Sequence, residues 1–418
     1  MRRRKTPGTA KLFRWAWGLL ALVTVASVIL FFRNYLSSSK AQQTPKASPT
    51  APGTVVPVLS SADVTTELPT TPAPETTTEG ETTVSTVTLL AVGDNLIHNT
   101  VYKSGWNSNP WNYDHLYRYV RDDIEAADLA VINQETIFVS NHKNVSNYPL
   151  FGTPREIGDA VYKAGFDVIL HASNHVLDMG IENVYDAIDY WSDKDVTVLG
   201  IHKSAQDAAI PTIVEKNGIR IGMINYTYGF NGFGLPAGQE YAVDHLDNRE
   251  KLLSDIAYLE SHADITVAFL HMGQEYSIRP DQYAKDMVDL VVSHGVDLCI
   301  DAHPHVVEPC EEVTASNGNK ALVYWSLGNF ISAQDELDRL LGAMATVTIQ
   351  KTVTGGKSVT EIIEHDMQPL VTHTAYDTTY AVYHLEDYND WLGARNLYCR
   401  MTTDKLWARW HEIVGDEP

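Results

Sequence analysis

Short apolar runs separated by amphipathic stretches organise the chain from residue 87 onward. The runs are Val87–Val92, Leu129–Asn133, Val168–His171, Val196–Leu199, Arg220–Tyr226, Ile265–His271, Val296–Ala302 and Ala321–Ser326. Runs of this length and apolarity read as buried strands. Between several of them lie helix-start signals. Thr153-Pro154-Arg155-Glu156 predicts a capping box with proline at the first helical position. Asp247-Asn248-Arg249-Glu250 predicts a helix capped by Asp247. Asp281–His294 is amphipathic and stops at Gly295. Strands alternating with helices predict an α/β domain with much parallel pairing. From Gly342 to Val371 the pattern turns strand-like around Thr354-Gly355-Gly356-Lys357, which predicts a hairpin. A last helix is expected around Asp404–Val414.

The residues before this region differ in kind. Trp15 to Phe32 carries no charge over 18 residues, enough to cross a hydrocarbon core of roughly 30 Å as a helix. Basic residues crowd its N-terminal side, which predicts the N-terminus in the cytoplasm and everything after Arg33 outside. The run ends in Phe31-Phe32-Arg33, unlike a small-residue cleavage site, so an uncleaved anchor is preferred to a signal peptide. Residues 34–86 are dominated by Ser, Thr, Pro, Ala and Val and read as a disordered stalk. The expected order is a basic tail (1–14), a single-pass anchor (15–33), the stalk (34–86), a folded domain (87–335), and C-terminal strands and tail completing it (336–418).

Charge narrows the partners. Net charge is -22, and residues 1–33 hold seven of the 31 basic residues and no acidic one. The remainder therefore sets 24 basic against 53 acidic residues, a balance of -29. That excludes the basic footprint nucleic acid requires. The three cysteines, Cys299, Cys310 and Cys399, make neither a disulfide framework nor a paired metal motif.

Candidate chemistry lies at the strand ends. These read Gly93-Asp94-Asn95-Leu96-Ile97-His98, Asn133-Gln134-Glu135, His171-Ala172-Ser173-Asn174-His175-Val176-Leu177-Asp178, His271-Met272-Gly273-Gln274-Glu275, Asp301-Ala302-His303-Pro304-His305 and Ser326-Leu327-Gly328-Asn329-Phe330. In an open α/β sheet the carboxyl edge is where ligands bind, and the motifs are expected at one edge of one sheet. Taken singly, each has a structural explanation. Ser173 or Asn174 would serve as a helix N-cap, Asp94 and Asn95 as a turn, His271 and His171 as core histidines. Carboxylates, imidazoles and an Asn carbonyl suit Mn, Zn or Fe as one or two divalent ions. His303 and His305 are two apart, so an extended segment would face both toward the site. Asp178, three residues after His175, can fix the imidazole tautomer. Glu275, His98 and Asn329 are candidates for substrate contact. Arg279 and Arg155 are the basic residues near these motifs in sequence.

Together and in this order, the motifs resemble the bacterial capsule-synthesis CapA family, or poly-γ-glutamate capsule proteins, of the calcineurin-like metallophosphoesterase superfamily. The resemblance runs from about Val87 to about Ala333. It implies a sandwich of two mixed β-sheets flanked by helices. It also implies Asp94 on a first metal, Glu135 bridging, Asn174, His271 and His303 on a second metal, and His305 on the first. His175 would be the proton donor, backed by Asp178. The chain departs from the pattern in three places. Leu96 stands where the superfamily has a histidine, Glu135 where it has Asp, and Gln134 where the family has Leu.

The implied function is an extracytoplasmic metal-dependent hydrolase in capsule assembly, with anionic poly-γ-glutamate or a phosphorylated compound as substrate and membrane synthase subunits as partners. A non-catalytic polymer-binding component and a general phosphatase or nucleotidase stay open beside it. For a nucleotidase, Tyr226–Phe233 would supply base stacking or form a lid.

Overall fold

The computed structural model describes residues 82–375 and 380–415. The expected anchor and residues 34–81 of the expected stalk lie outside the described residues. No helix among the described residues is long and apolar enough to cross a membrane.

The fold is mixed α/β, with sixteen strands (β1 to β16 in chain order) among the described residues. One sheet holds β1 (Thr82–Asn95), β2 (Leu129–Asn133), β5 (Val168–Leu170), β6 (Thr197–Leu199), β13 (Asn329–Ile331), β14 (Leu341–Thr354), β15 (Lys357–Thr374) and β16 (Tyr380–His384). Its order is β16-β15-β14-β1-β2-β5-β6, with β13 paired to β1. The other sheet holds β7 (Thr212–Lys216), β8 (Ile219–Thr227), β9 (Ile265–His271), β10 (Leu298–Ala302), β11 (Val307–Thr314) and β12 (Lys320–Leu327) in the order β11-β12-β10-β9-β8-β7. Strands β3 (Phe138–Val139) and β4 (Thr153–Pro154) form a small separate pair.

Side-chain alternation explains the layering. In β1, Val87, Leu89 and Ala91 pack into a core shared with Ile221, Val267, Phe269 and Ile300 of the second sheet. Leu90 and Val92 point the other way, into a core with Ile157, Val161, Val184 and Trp191 from the helices Glu156–Ala164 and Ile181–Ser192. The second sheet is covered likewise by Leu252, Ile256 and Leu259 of helix Arg249–His262 and by Met287, Val288 and Val291 of helix Gln282–Ser293. Strands buried on both faces are necessarily apolar throughout, which is why they stand out in the sequence.

Four local expectations are corrected. β1 starts at Thr82 instead of Val87, because Thr82–Thr86 continue the ladder with β14 although their side chains are mostly exposed. Thr153-Pro154 is β4 and not a capping box. The Thr153 hydroxyl donates to Thr136 Oγ1, and the helix begins at Glu156 without a side-chain cap. The next helix is capped by Asn248, whose Oδ1 accepts from Lys251 N–H, and not by Asp247. The stretch after β5 is a turn, and its helix opens only at Ile181 after Gly180, so neither Ser173 nor Asn174 caps it. The Thr354–Lys357 hairpin, the Asp281-capped helix and the final helix, Thr403–Val414, are as expected.

A buried-edge clamp links the two sheets. Asp264, at the entrance to β9, accepts from Arg220 N–H at 2.8 Å, from the Arg220 guanidinium at 3.0 Å, and from Lys351 Nζ of β14 at 2.7 Å. Burial alone would raise its pKa, but these hydrogen bonds outweigh it and hold it at about 2. A depressed folded-state pKa stabilises the fold above the unfolded value near 4. Asp264→Asn should therefore cost about 1–2 kcal/mol at neutral pH. The difference from wild type should shrink as pH falls from about 4 toward 2, read from denaturant unfolding across that range. A pH-independent difference would refute the clamp.

Candidate metal centre

The carboxyl ends of both sheets meet at one place. The expectation of a single sheet edge is corrected: Asp94, Glu135 and Asn174 lie at or just past the ends of β1, β2 and β5 of the first sheet, whereas His271, His303 and His305 lie at or just past the ends of β9 and β10 of the second. Contacts cross the gap directly. His305 Nδ1 donates to Asp94 Oδ2 at 2.9 Å, and His271 Nε2 lies 3.0 Å from Asn174 Oδ1. Asn133 Nδ2 donates to Asp94 Oδ1 at 2.7 Å and lies 3.2 Å from His271 Nδ1.

Glu135 is the hub. Its Oε1 lies 3.8 Å from His305 Nε2, 3.9 Å from His271 Nε2 and 4.0 Å from His175 Nε2. Two donor groups overlap on it, Asp94/Glu135/His305 and Glu135/His271/His303, each with donor atoms within 4.8 Å of one another. A third group joins Glu275 to His303 and His305. Glu135 is 1% exposed, and neither of its carboxylate oxygens has a hydrogen-bond partner; His303 Nδ1 is also buried and unpartnered. A bare buried carboxylate is costly unless a charge compensates it. These residues thus fit a divalent cation, with a carboxylate–imidazole donor set suited to Mn, Zn or Fe.

Electrostatics agree with that fit at His271 and His303, whereas His305 is held in its charged form. Burial pushes the Glu135 carboxyl well above its usual range, with the His305 charge pulling against it. Burial holds His271 and His303 well below the ordinary imidazole value, so both stay neutral and able to ligate. Burial would also lower His305, but Glu135 and Asp94 outweigh it and raise it to about 9.

His303 and His305 both enter the site, but not from an extended segment. Their φ angles are 101° and 61°, in the left-handed region. Histidine tolerates that region better than most residues, at a cost of roughly 1–3 kcal/mol for each strained residue. His175 sits beside the cluster. Its Nδ1 donates to Asp178 Oδ2 at 2.7 Å, which also accepts from Phe151 N–H at 2.8 Å. Held this way, His175 turns Nε2 toward Glu135.

The other candidates separate. His98 is not in any of the three donor groups: its Nδ1 lies 3.2 Å from Leu96 O and accepts from Ala333 N–H at 3.2 Å, and burial lowers its pKa to about 4. Leu96 itself is buried, so no imidazole occupies its position. His171 is a core residue, its Nε2 accepting from Trp191 Nε1 at 2.8 Å. Asn329 is buried, and its Oδ1 has no hydrogen-bond partner. Its Nδ2 donates to His305 O, Gln334 Oε1 and Arg339 O. Arg279 is committed to Ile413 O and Glu412 O, and Arg155 to Asp186.

Asn133, Tyr228 and Asn231 also reach the site, although the sequence pattern assigns none of them a role of its own. The Tyr228 ring lies 4.6 Å from that of His303, and the Asn231 amide contacts both His175 Nδ1 at 3.2 Å and Asn174 Nδ2 at 3.3 Å. Asn133 carried a signal, as the polar end of β2. Tyr228 and Asn231 fall within Tyr226–Phe233, the stretch read as base stacking or a lid.

The family model for the bacterial capsule synthesis protein PGA_cap matches residues 88–334. This chain belongs to that family. Every residue of the three donor groups lies within the matched segment. Among curated PGA_cap-type relatives, the PGA biosynthesis protein CapA of Bacillus subtilis (strain 168) is 27% identical over 259 residues, covering 61% of this chain and 67% of that protein. The capsule biosynthesis protein CapA of Bacillus anthracis is 25% identical over 234 residues, covering 54% of this chain and 56% of that protein. Among solved structures, the NAD nucleotidase of Haemophilus influenzae matches with a TM-score of 0.39 and 9% identity, over 79% of this chain and 60% of that one.

If Glu135 is held in place by a cation, Glu135→Gln separates charge from shape. A cation at a hundred times its Kd adds about 2.7 kcal/mol to stability in the wild type. Glu135→Gln should lose most of that gain, while the chelator-treated variant melts no lower than chelator-treated wild type. Thermal unfolding with and without Mn or Zn reads both. An undiminished metal response would remove Glu135 from the centre.

Proposed function

We propose that this PGA_cap chain is a membrane-anchored, extracytoplasmic, metal-dependent hydrolase of poly-γ-glutamate capsule assembly, built as a calcineurin-like metallophosphoesterase sandwich. The observation that carries the reading is the unpartnered Glu135 carboxylate shared by two overlapping donor groups. Asp94, Glu135 and His305 would hold one divalent ion; Glu135, Asn174, His271 and His303 would hold a second. Such ions polarise a phosphoryl or acyl oxygen and lower the pKa of water.

The chain's own residues orient and move protons. Asp178 fixes the His175 tautomer with the proton on Nδ1 and stabilises a charged ring. His175 Nε2, facing the cluster, is then placed to exchange a proton with the leaving group. Asn133 holds Asp94 in line and reaches His271 Nδ1 across the two sheets. Phe151, edge-on to His175 at 4.8 Å, limits water on that side. The capsule relatives support poly-γ-glutamate as the substrate context, and the uncharged stretch 15–32 supports the anchor.

One observation favours a second reading. With Leu96 apolar and His98 engaged elsewhere, the first donor group offers only three residues. A three-donor site is also consistent with a polymer-binding subunit that does no chemistry. His175→Ala decides between them. It should keep its metal content and lose roughly 10²–10⁴-fold in turnover of phosphoester and γ-glutamyl amide substrates, since that is the usual worth of a positioned proton donor. Metal-loaded wild type without turnover on either class would leave the polymer-binding reading in place.

A further inference from the structure

A domain this acidic repels an anionic polymer, so a local cation is needed where the polymer meets the centre. The basic residues close to the motifs in sequence, Arg279 and Arg155, are committed elsewhere, as described above. Arg339 comes to the site from outside the family segment. It lies on the short helix Leu337–Leu340, just before β14. Its guanidinium carbon is 3.8 Å from the centroid of the Tyr276 ring, and that ring is 6.0 Å from the ring of His305. Guanidinium and imidazole can therefore be no farther apart than those two spans laid end to end.

The position of Arg339 is fixed by the centre itself. One amide, Asn329 Nδ2, donates to His305 O at 3.1 Å and to Arg339 O at 2.9 Å. The same amide donates to Gln334 Oε1 at 3.0 Å, and Gln334 Nε2 reaches the Tyr276 hydroxyl at 3.4 Å. Tyr276, with φ of 66°, is pinned in turn by its N–H to Pro304 O at 2.8 Å, between His303 and His305. Backbone, ring and guanidinium thus form one unit with the His305 side of the centre.

The guanidinium is also free to exchange partners. Its ion pairs run to Glu336 at 3.3 Å and Asp335 at 4.0 Å, both with largely exposed carboxylates, and such pairs are worth at most about 1 kcal/mol. Its Nε is buried with no hydrogen-bond partner. Stacking on Tyr276 occupies one face of the guanidinium, and its Nη1 and Nη2 are held only by these solvent-exposed carboxylates, which a better-placed carboxylate can displace. That is the geometry that grips a carboxylate with two parallel hydrogen bonds.

We infer that Arg339, stacked on Tyr276, is the carboxylate-recognition residue of this centre, receiving the free carboxylate beside the bond held at the His305 side. This rests on the hydrolase reading for its substrate class, a γ-linked glutamate chain, in which each residue keeps a free α-carboxylate. Asn329 is then a positioning residue, setting the span from Arg339 to His305.

Binding tests this without requiring turnover. Full-length Mn-loaded protein is titrated calorimetrically with a short γ-linked glutamate oligomer and with the same oligomer carrying amidated α-carboxylates. Wild type should prefer the free carboxylates. Arg339→Met should weaken the carboxylate oligomer roughly 10- to 100-fold and the amidated one little, as expected for a charge-assisted pair. Arg339→Lys should recover only part, lacking the planar fork. Metal content and melting temperature report folding of the variants. The inference is overturned if Arg339→Met binds like wild type, if both oligomers weaken equally, or if wild type shows no preference. Failure of the hydrolase reading appears separately, as absent wild-type turnover of a carboxylate-free phosphoester.

Discussion

A carboxylate with no partner, sealed between two sheets, is the constraint around which this end of the molecule is arranged. Glu135 comes from the first sheet, and two of the three imidazoles that approach it come from the second. Left alone, such a group would destabilise the fold by the cost of desolvating a charge. Proteins resolve that cost by protonation, by ion pairing or by a metal. Here burial pushes Glu135 toward the first and His305 pulls it toward the second. A cation would satisfy the carboxylate and the neutral His271 and His303 together. The centre is therefore a stability element as well as a chemical one.

Amides set the geometry around that hub. Asn133, Asn231 and Asn329 each bridge two site elements, and none carries a charge that would compete with the ligands. Side chains of this kind fix orientation without altering the net charge, as second-layer partners of metal ligands do. The left-handed backbone at His303 and His305 has the same purpose. It brings two rings, 5.8 Å apart, into a space that a flat strand could not enter.

Much of this could be read from the chain, for a physical reason. Central strands packed on both faces must be apolar, so β1, β2, β5, β9 and β10 stand out, and the polar residues that end them stand out by contrast. That pattern identified Asp94, Glu135, Asn174, His175, His271, His303 and His305. It did not show that they belong to two sheets, because periodicity carries no information about which strands pair. The helix starts at Thr153 and Asp247 were misplaced because capping chemistry is local and the neighbouring Asn248 or a tertiary partner such as Thr136 takes precedence. Arg339 left no local signal. Its nearness to His305 depends on an amide ten residues upstream and on a tyrosine that follows β9 of the second sheet.

The chain crosses from the second sheet to the first at Gly328, between β12 and β13, where Asp94 N–H donates to Gly328 O at 2.9 Å. The crossing is tight enough that a Cβ on Gly93 would lie 1.9 Å from that oxygen. Asp94 therefore reaches its final position together with a segment that lies far from it along the chain. Contacts this distant along the chain form late, once loop closure has been offset by the rest of the core. A partly made chain would hold the early ligands but no completed centre, so a metal-binding centre would assemble only with the last contacts of the fold.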